Sequence, residues 1–235
     1  MPRLKPMRQT VLRCSRSLFA LLLIATCATP LHADDSFSRA EQLLFLSDHL
    51  ANVAKATVIR YSYNKMGTLD PASEGTINLT VSAMPQGTGK HTHVDFASGS
   101  RSLDLPDIDD ATANPVILFF LERDVRDMER RTGGKAAYFR KRVRLAFSES
   151  ADVQPVQFEF AGRKVSGTQI SIRPFTDDPL KSRFTQLADK TYVFTLSQEI
   201  PGQLYRMQTQ ARTPQAAADA PPLLQESITL IGAQP

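Results

Sequence analysis

The segment Asn114–Lys135, "NPVILFFLERDVRDMERRTGGK", decides how the rest of the chain is read. Asn114 can cap a helix through its side-chain oxygen, and Pro115 suits the first helical position, where its missing amide costs nothing. Gly133 and Gly134 supply a left-handed stop. Between these signals, Val116–Leu121 is apolar at six consecutive positions and so covers every side of a helix. A helix lying on a flat sheet needs only an apolar stripe, so this half predicts enclosure by a strongly curved sheet, by the chain's first helix or by a ligand. The second half places Glu122 with Arg126, Arg123 with Asp127, and Asp127 with Arg131 four apart. Such pairs contribute about 0.2–0.5 kcal/mol each and read as a solvated surface.

Outward from this helix the period falls to two. On the N-terminal side, "TVIRYSYNK", "TINLTVSA" and "HTHVDFA" alternate apolar with polar residues. On the C-terminal side "YFRKRVRLAF", "PVQFEFAG", "TQISIRPF", "TYVFTLSQ", "QLYRMQTQ" and "ESITLIG" read the same way. These are the marks of half-buried antiparallel strands. "MGTLDPASEG" supplies connection residues, and "DPLKSRFTQL" suggests a short helical turn. Before the first strand, Ser38 and Glu41 form a capping box, and Ala40, Leu43, Leu44, Leu46, Leu50 and Val53 recur at helical spacing. This predicts a helix over 38–54. The fold expected is α+β: a strongly curved antiparallel sheet of about nine strands, a half-open barrel, wrapped around two main helices.

Residues 1–33 have the form of a secretory signal: Arg3, Lys5, Arg8, Arg13 and Arg16, an apolar core from Leu18 to Ala25, and small residues ending at Ala33. The expectation is a periplasmic protein cleaved near Ala33, with residues 34–235 as one mature domain and 212–222, rich in Ala, Pro and Gln, as a flexible loop. Cleavage removes five basic side chains and no acidic one, so Lys and Arg fall from 28 to 23 against 24 acidic residues. The formal charge passes from +4 to −1, which removes the argument for nucleic acid as a partner. Nothing in the mature chain approaches the roughly 18 apolar residues of a transmembrane span. Both cysteines, Cys14 and Cys27, lie in the leader, so a domain of about 200 residues must rely on its core rather than on disulfides. The alternative is that "IATC" is a lipoprotein box with Cys27 acylated, although Thr26 stands where Gly, Ala or Ser is usual.

Three stretches invite chemistry. His91, His93 and Asp95 share one face of a strand and resemble the start of the His-x-His-x-Asp-His motif of metallo-β-lactamase-type hydrolases. Phe96 occupies the place of the next histidine, and the motif reads better as a polar strand face with no metal. "GTGKH" and "GGK" fail the phosphate-loop pattern, because Met84 and Glu129 stand where its first glycine belongs. In "YFRKRVRLAF", read as a strand, Arg140, Arg142 and Arg144 form a basic stripe suited to a headgroup or an acidic partner surface, or to pairing with carboxylates such as Glu159. No cofactor motif and no catalytic residue emerge.

In order of elements the chain resembles the periplasmic carriers of the LolA, LolB and LppX type: one helix, three strands, a very apolar central helix, then about six strands. The resemblance implies a bent sheet around helices with a cavity for acyl chains. "NPVILFFLERDV" and "YFRKR" also resemble phrases in a family of exported proteobacterial proteins, which implies no activity. Two functions stand first. One is a non-enzymatic periplasmic carrier or binding protein for a lipid, lipoprotein or other apolar ligand, lined by Val116, Ile117, Phe119, Phe120 and Leu121. The other is a structural or adaptor protein of the envelope that engages a protein partner while the same residues are plain core. A metal-dependent hydrolase using His91, His93 and Asp95 comes third.

Overall fold

The computed structural model describes residues 37–84, 89–98, 101–213, 217 and 219–235. Residues 1–33, read from the sequence as an export leader, lie outside them, as does part of the stretch 212–222. Ten strands form one open antiparallel sheet: β1 (Thr57–Met66), β2 (Ser73–Ala83), β3 (Lys90–Ser98), β4 (Arg101–Asp104), β5 (Ile108–Ala111), β6 (Asp152–Phe160), β7 (Arg163–Ile172), β8 (Thr191–Leu196), β9 (Leu204–Ala211) and β10 (Leu224–Gln234). The path runs β4-β3-β2-β1-β10-β9-β8-β7-β6, with β5 paired to β3 beyond it. Every adjacent pair but one joins near neighbours in sequence; only β1 with β10 closes the chain on itself. The sheet is curved and does not close. β6 ends the path, with Pro155 in its middle opposite Thr168 of β7.

Between the two runs of strands come α2 (Pro115–Thr132) and α3 (Ala136–Glu149), while a short α1 (Arg39–Glu41) opens the described domain. The signals at α2 act as expected: the Asn114 side chain accepts the Val116 amide, and Gly133 ends the helix at φ 68°.

Register fixes two rows across the buried face. Tyr63, Ile228, Met207, Phe194 and Ile170 are successive partners over five strands and form an apolar row. One step along each strand pair, Lys65, Glu226, Thr209, Tyr192 and Ile172 make a row that is mostly polar. The helix α2 matches this change of character. Phe120 meets Phe194 edge-on at 6.4 Å, whereas Asp124, a turn later, takes Lys190 and a 2.5 Å bond from the Tyr192 hydroxyl.

Three expectations are corrected. "YFRKRVRLAF" is not a strand: it lies in α3, with Phe139, Val143, Ala146 and Phe147 buried at helical spacing, so Arg140, Arg142 and Arg144 do not form a strand-face stripe. The strand count survives because β4 and β5 appear where none was expected. The first helix stops early. The α-helical turn passes into a π-turn over Gln42–Leu46 and ends at Ser47, and Leu50 and Val53 reach the core from turns instead. Finally, the charged half of α2 is not an ordinary solvated surface. Asp124 is buried, Arg131 binds both Asp127 and Asp70, and Arg123 crosses to Tyr63 and Glu226 rather than pairing along the helix with Asp127.

Candidate functional site

The helical side of the sheet carries a groove of about 440 Å³ between α1 with its π-turn, α2 and α3. Pockets that hold small apolar ligands commonly have about 300–1,000 Å³. Its apolar wall is built from Phe37, Phe45, Leu46, Leu118, Leu121, Val125, Val143 and Phe147, and its rim from Glu41, Glu122, Arg140 and Arg144.

Local structure explains each contribution. The Ser38–Glu41 capping box is complete, with Ser38 Oγ accepting from the Glu41 amide and Glu41 Oε2 accepting from the Ser38 amide at 2.9 Å. The Ser38 hydroxyl also donates to the Phe147 carbonyl at 2.9 Å, which ties the start of the domain to α3. Phe45 packs edge-on against Phe147 at 5.5 Å. The π-turn widens the helix by one residue, a distortion often seen at functional sites, and leaves Leu46 55 % exposed. Phe37 and Leu118 are 56 % and 57 % exposed. Among the described residues seven large apolar side chains are exposed, and these three converge on one groove. Scattered exposed apolar residues are ordinary; a convergent set at a concavity marks a contact surface.

The rim is partly self-neutralised. Arg140 grips Glu122 with its Nε at 3.1 Å and its Nη2 at 2.8 and 2.9 Å, and Arg126 adds a bond at 3.0 Å. Partial burial pushes the Glu122 carboxyl up, but the Arg140 and Arg126 guanidinium groups outweigh it and hold it below the usual carboxylate range. Arg144, four residues after Arg140 on the same side of α3, is exposed and has no ion pair among the described residues. Arg142 turns away from the groove. It lies 3.0 Å from Asp178, whose fully buried carboxylate also accepts the Tyr138 hydroxyl at 2.5 Å.

Of the residues singled out from sequence as a ligand lining, Val116, Ile117 and Phe120 are at most 1 % exposed and sit in the core. Phe119 is partly buried against Phe96, at 5.6 Å between ring centres. Leu121 alone of the five lines the groove. Leu118, left out of that set, is the exposed member of the run, so the apolar first half of α2 is not enclosed on every side. Of the three arginines, Arg140 and Arg144 reach the rim.

His91 and His93 lie on β3, where carboxylates of the following segment take them up. His91 Nδ1 is 2.7 Å from Asp109, and His93 Nδ1 is 2.7 Å from Asp107, with Asp95 3.4 Å from His93 Nε2. Among the described residues no group of three or more His, Cys, Asp or Glu is arranged to hold a metal ion.

His49 escaped the sequence reading and acts as a joint. Its Nε2 donates to the Leu43 carbonyl at 2.7 Å and its Nδ1 accepts the Asn114 amide at 3.0 Å, which fixes a neutral tautomer at the cap of α2. Burial lowers its pKa.

No protein-family model and no curated protein matches this sequence. Among solved structures the chain is similar to the lipoprotein LppX of Mycobacterium tuberculosis, at 9 % identity over 76 % of this chain and 86 % of that one, with a TM-score of 0.30. It is also similar to LprF of Mycobacterium bovis, at 12 % identity over 83 % and 93 % of the two chains, with a TM-score of 0.29.

Proposed function

We propose that this protein is a non-enzymatic carrier or binding protein for an apolar ligand, such as a lipid acyl chain, held in the groove between the π-turn, α2 and α3. The observation that carries the reading is the convergence of Phe37, Leu46 and Leu118, each more than half exposed, on a concavity of about 440 Å³. Apolar surface left wet forgoes a gain of about 25 cal/mol per Å², which a ligand covering it would supply to binding. Residues 1–33 act on this reading as an export leader, and the groove works in the periplasm. On this reading the ligand lies among the helices and not beneath them, so Leu118 and Leu121 are contact residues while Val116, Ile117 and Phe120 support the helix from below.

The test is uptake of a neutral apolar dye, N-phenyl-1-naphthylamine, by the protein and by Leu118→Asp. The substitution should abolish uptake while moving stability by no more than about 0.5 kcal/mol, because the site is exposed. Equal uptake by both proteins would remove the groove from consideration.

A second reading, an envelope adaptor without a small ligand, draws on the close packing of Val116, Ile117 and Phe120, which makes the sheet side of α2 a solid plug. Organic extraction of protein purified from its native envelope separates the two: co-purifying lipid favours the carrier, and none favours the adaptor.

A further inference from the structure

We infer that the ligand of this groove is a single-chain amphiphile with an anionic head, seated at Arg144; the inference rests on the binding reading above. The three arginines of α3 have different fates. Arg140 is committed to Glu122 through three contacts between 2.8 and 3.1 Å, and Arg142 faces Asp178 on the other side. Arg144 borders the apolar wall, is exposed, and has no carboxylate within ion-pair distance among the described residues. Its neighbours along the helix face, Val143 and Phe147, are buried in that wall, so the guanidinium stands where an apolar tail would emerge.

The two carboxylates of the rim do not cancel this cation. Glu122 is shared between Arg140 and Arg126, and Glu41 accepts the Ser38 amide in the capping box. Counting the rim with Arg126 leaves one positive charge in excess. A guanidinium presents a planar fork of donors that fits the paired oxygens of a carboxylate or a phosphate. The chemistry at Arg144 is therefore an anionic oxygen head, whether of a free fatty acid or of a lysophospholipid with a terminal phosphate.

Displacement of the neutral dye by four sixteen-carbon compounds, each below its micelle concentration, tests the assignment: hexadecanoate, hexadecanoyl lysophosphatidate, hexadecanol and hexadecyltrimethylammonium. At least one of the two anions should bind about tenfold more tightly than the alcohol, and the cation no better than the alcohol, as one charge-assisted contact at an exposed site predicts. The tighter anion identifies the source of the head. Arg144→Gln should bring that ratio close to one, Arg144→Lys should restore part of it, and raised salt should shrink it in the wild type. If the alcohol equals both anions, or if Arg144→Gln keeps the preference, the head assignment is wrong and the groove reading stands. If dye and amphiphiles bind neither the wild type nor any variant, both fall together.

Discussion

Replacing Lys190 by Met should be among the most damaging single changes in the protein, although it touches no part of the groove. The Lys190 side chain is fully buried, the Asp124 side chain is 3 % exposed, and the ammonium group pairs with that carboxylate directly. Methionine fills similar volume but leaves a carboxylate in the interior with only the Tyr192 hydroxyl, at 2.5 Å, to satisfy it. Removing one partner of a buried pair costs about 3–5 kcal/mol. With a urea dependence of about 2 kcal/mol per M, the unfolding midpoint should fall by roughly 1.5–2.5 M. The chain has no tryptophan, so the measurement needs circular dichroism or tyrosine fluorescence. Burial pushes the Asp124 carboxyl up, and Lys190 opposes the shift. A raised folded-state pKa favours folding below the ordinary carboxylate range and loses that contribution as pH rises through the folded value. Without Lys190 only the Tyr192 hydroxyl opposes the rise, so the variant's deficit should be smaller at pH 5 than at pH 8. Asp124→Leu combined with Lys190→Met should recover most of the loss, because an apolar pair asks for no solvation. A midpoint shift below about 0.3 M in Lys190→Met would show that Asp124 is not an uncompensated buried charge and refute the reasoning.

Phe120→Ala should cost about 3–5 kcal/mol, since the ring is 1 % exposed and packs on Phe194, while dye uptake per folded molecule stays unchanged. His91→Ala with His93→Ala should leave metal content unaltered by elemental analysis and cost at most about 1 kcal/mol per exposed ion pair lost in thermal unfolding. Burial lowers the pKa of His49, so its contribution to stability is complete above its ordinary value of 6.5 and is lost as pH falls through the folded value. Urea midpoints from pH 7 to pH 5 should therefore decline, and His49→Gln should flatten the decline.

The sequence made α2 legible because its signals agree: Asn114, Pro115 and the Gly133–Gly134 pair all mark the same limits. The eight longer strands were equally plain, since in β1 Ile59, Tyr61 and Tyr63 alternate with residues that are less buried, whereas the four-residue β4 and β5 were missed. The segment "YFRKRVRLAF" was ambiguous for a physical reason. Phe139, Val143 and Phe147 fit both periods, because a spacing of four is a whole number of strand repeats and close to one helical turn. Arg140, Arg142 and Arg144 then supplied a false alternation, and Ala146, which joins the buried set only at helical spacing, was the residue to weigh. The early stop of the first helix was hidden because Leu50 and Val53 are buried as the pattern required, though by turns. The groove could not be read from one segment. Phe37 and Leu118 are far apart in sequence, and only the packing of α1 against α3 and α2 brings them to one concavity. The ionic contacts of Arg123 and Arg131 were missed because helix spacing reveals neighbours on the same helix, and their partners Glu226 and Asp70 come from the sheet and a loop.

The open sheet has a further consequence at its β6 margin. A strand at such a margin offers unpaired amides and carbonyls to any other chain in extended form, the usual first step of aggregation. Proline has no amide to offer and is tolerated in a sheet only where that group would face outward, so Pro155 in mid-strand leaves a gap in any ladder built on β6. Asp152 and Glu159 on the same strand add repulsion between like copies. The half-barrel can thus stay open without acting as a template for its own polymerisation. Pro155→Val, which restores the donor and adds a β-branched side chain, should turn a monodisperse protein into one that sediments on gentle heating.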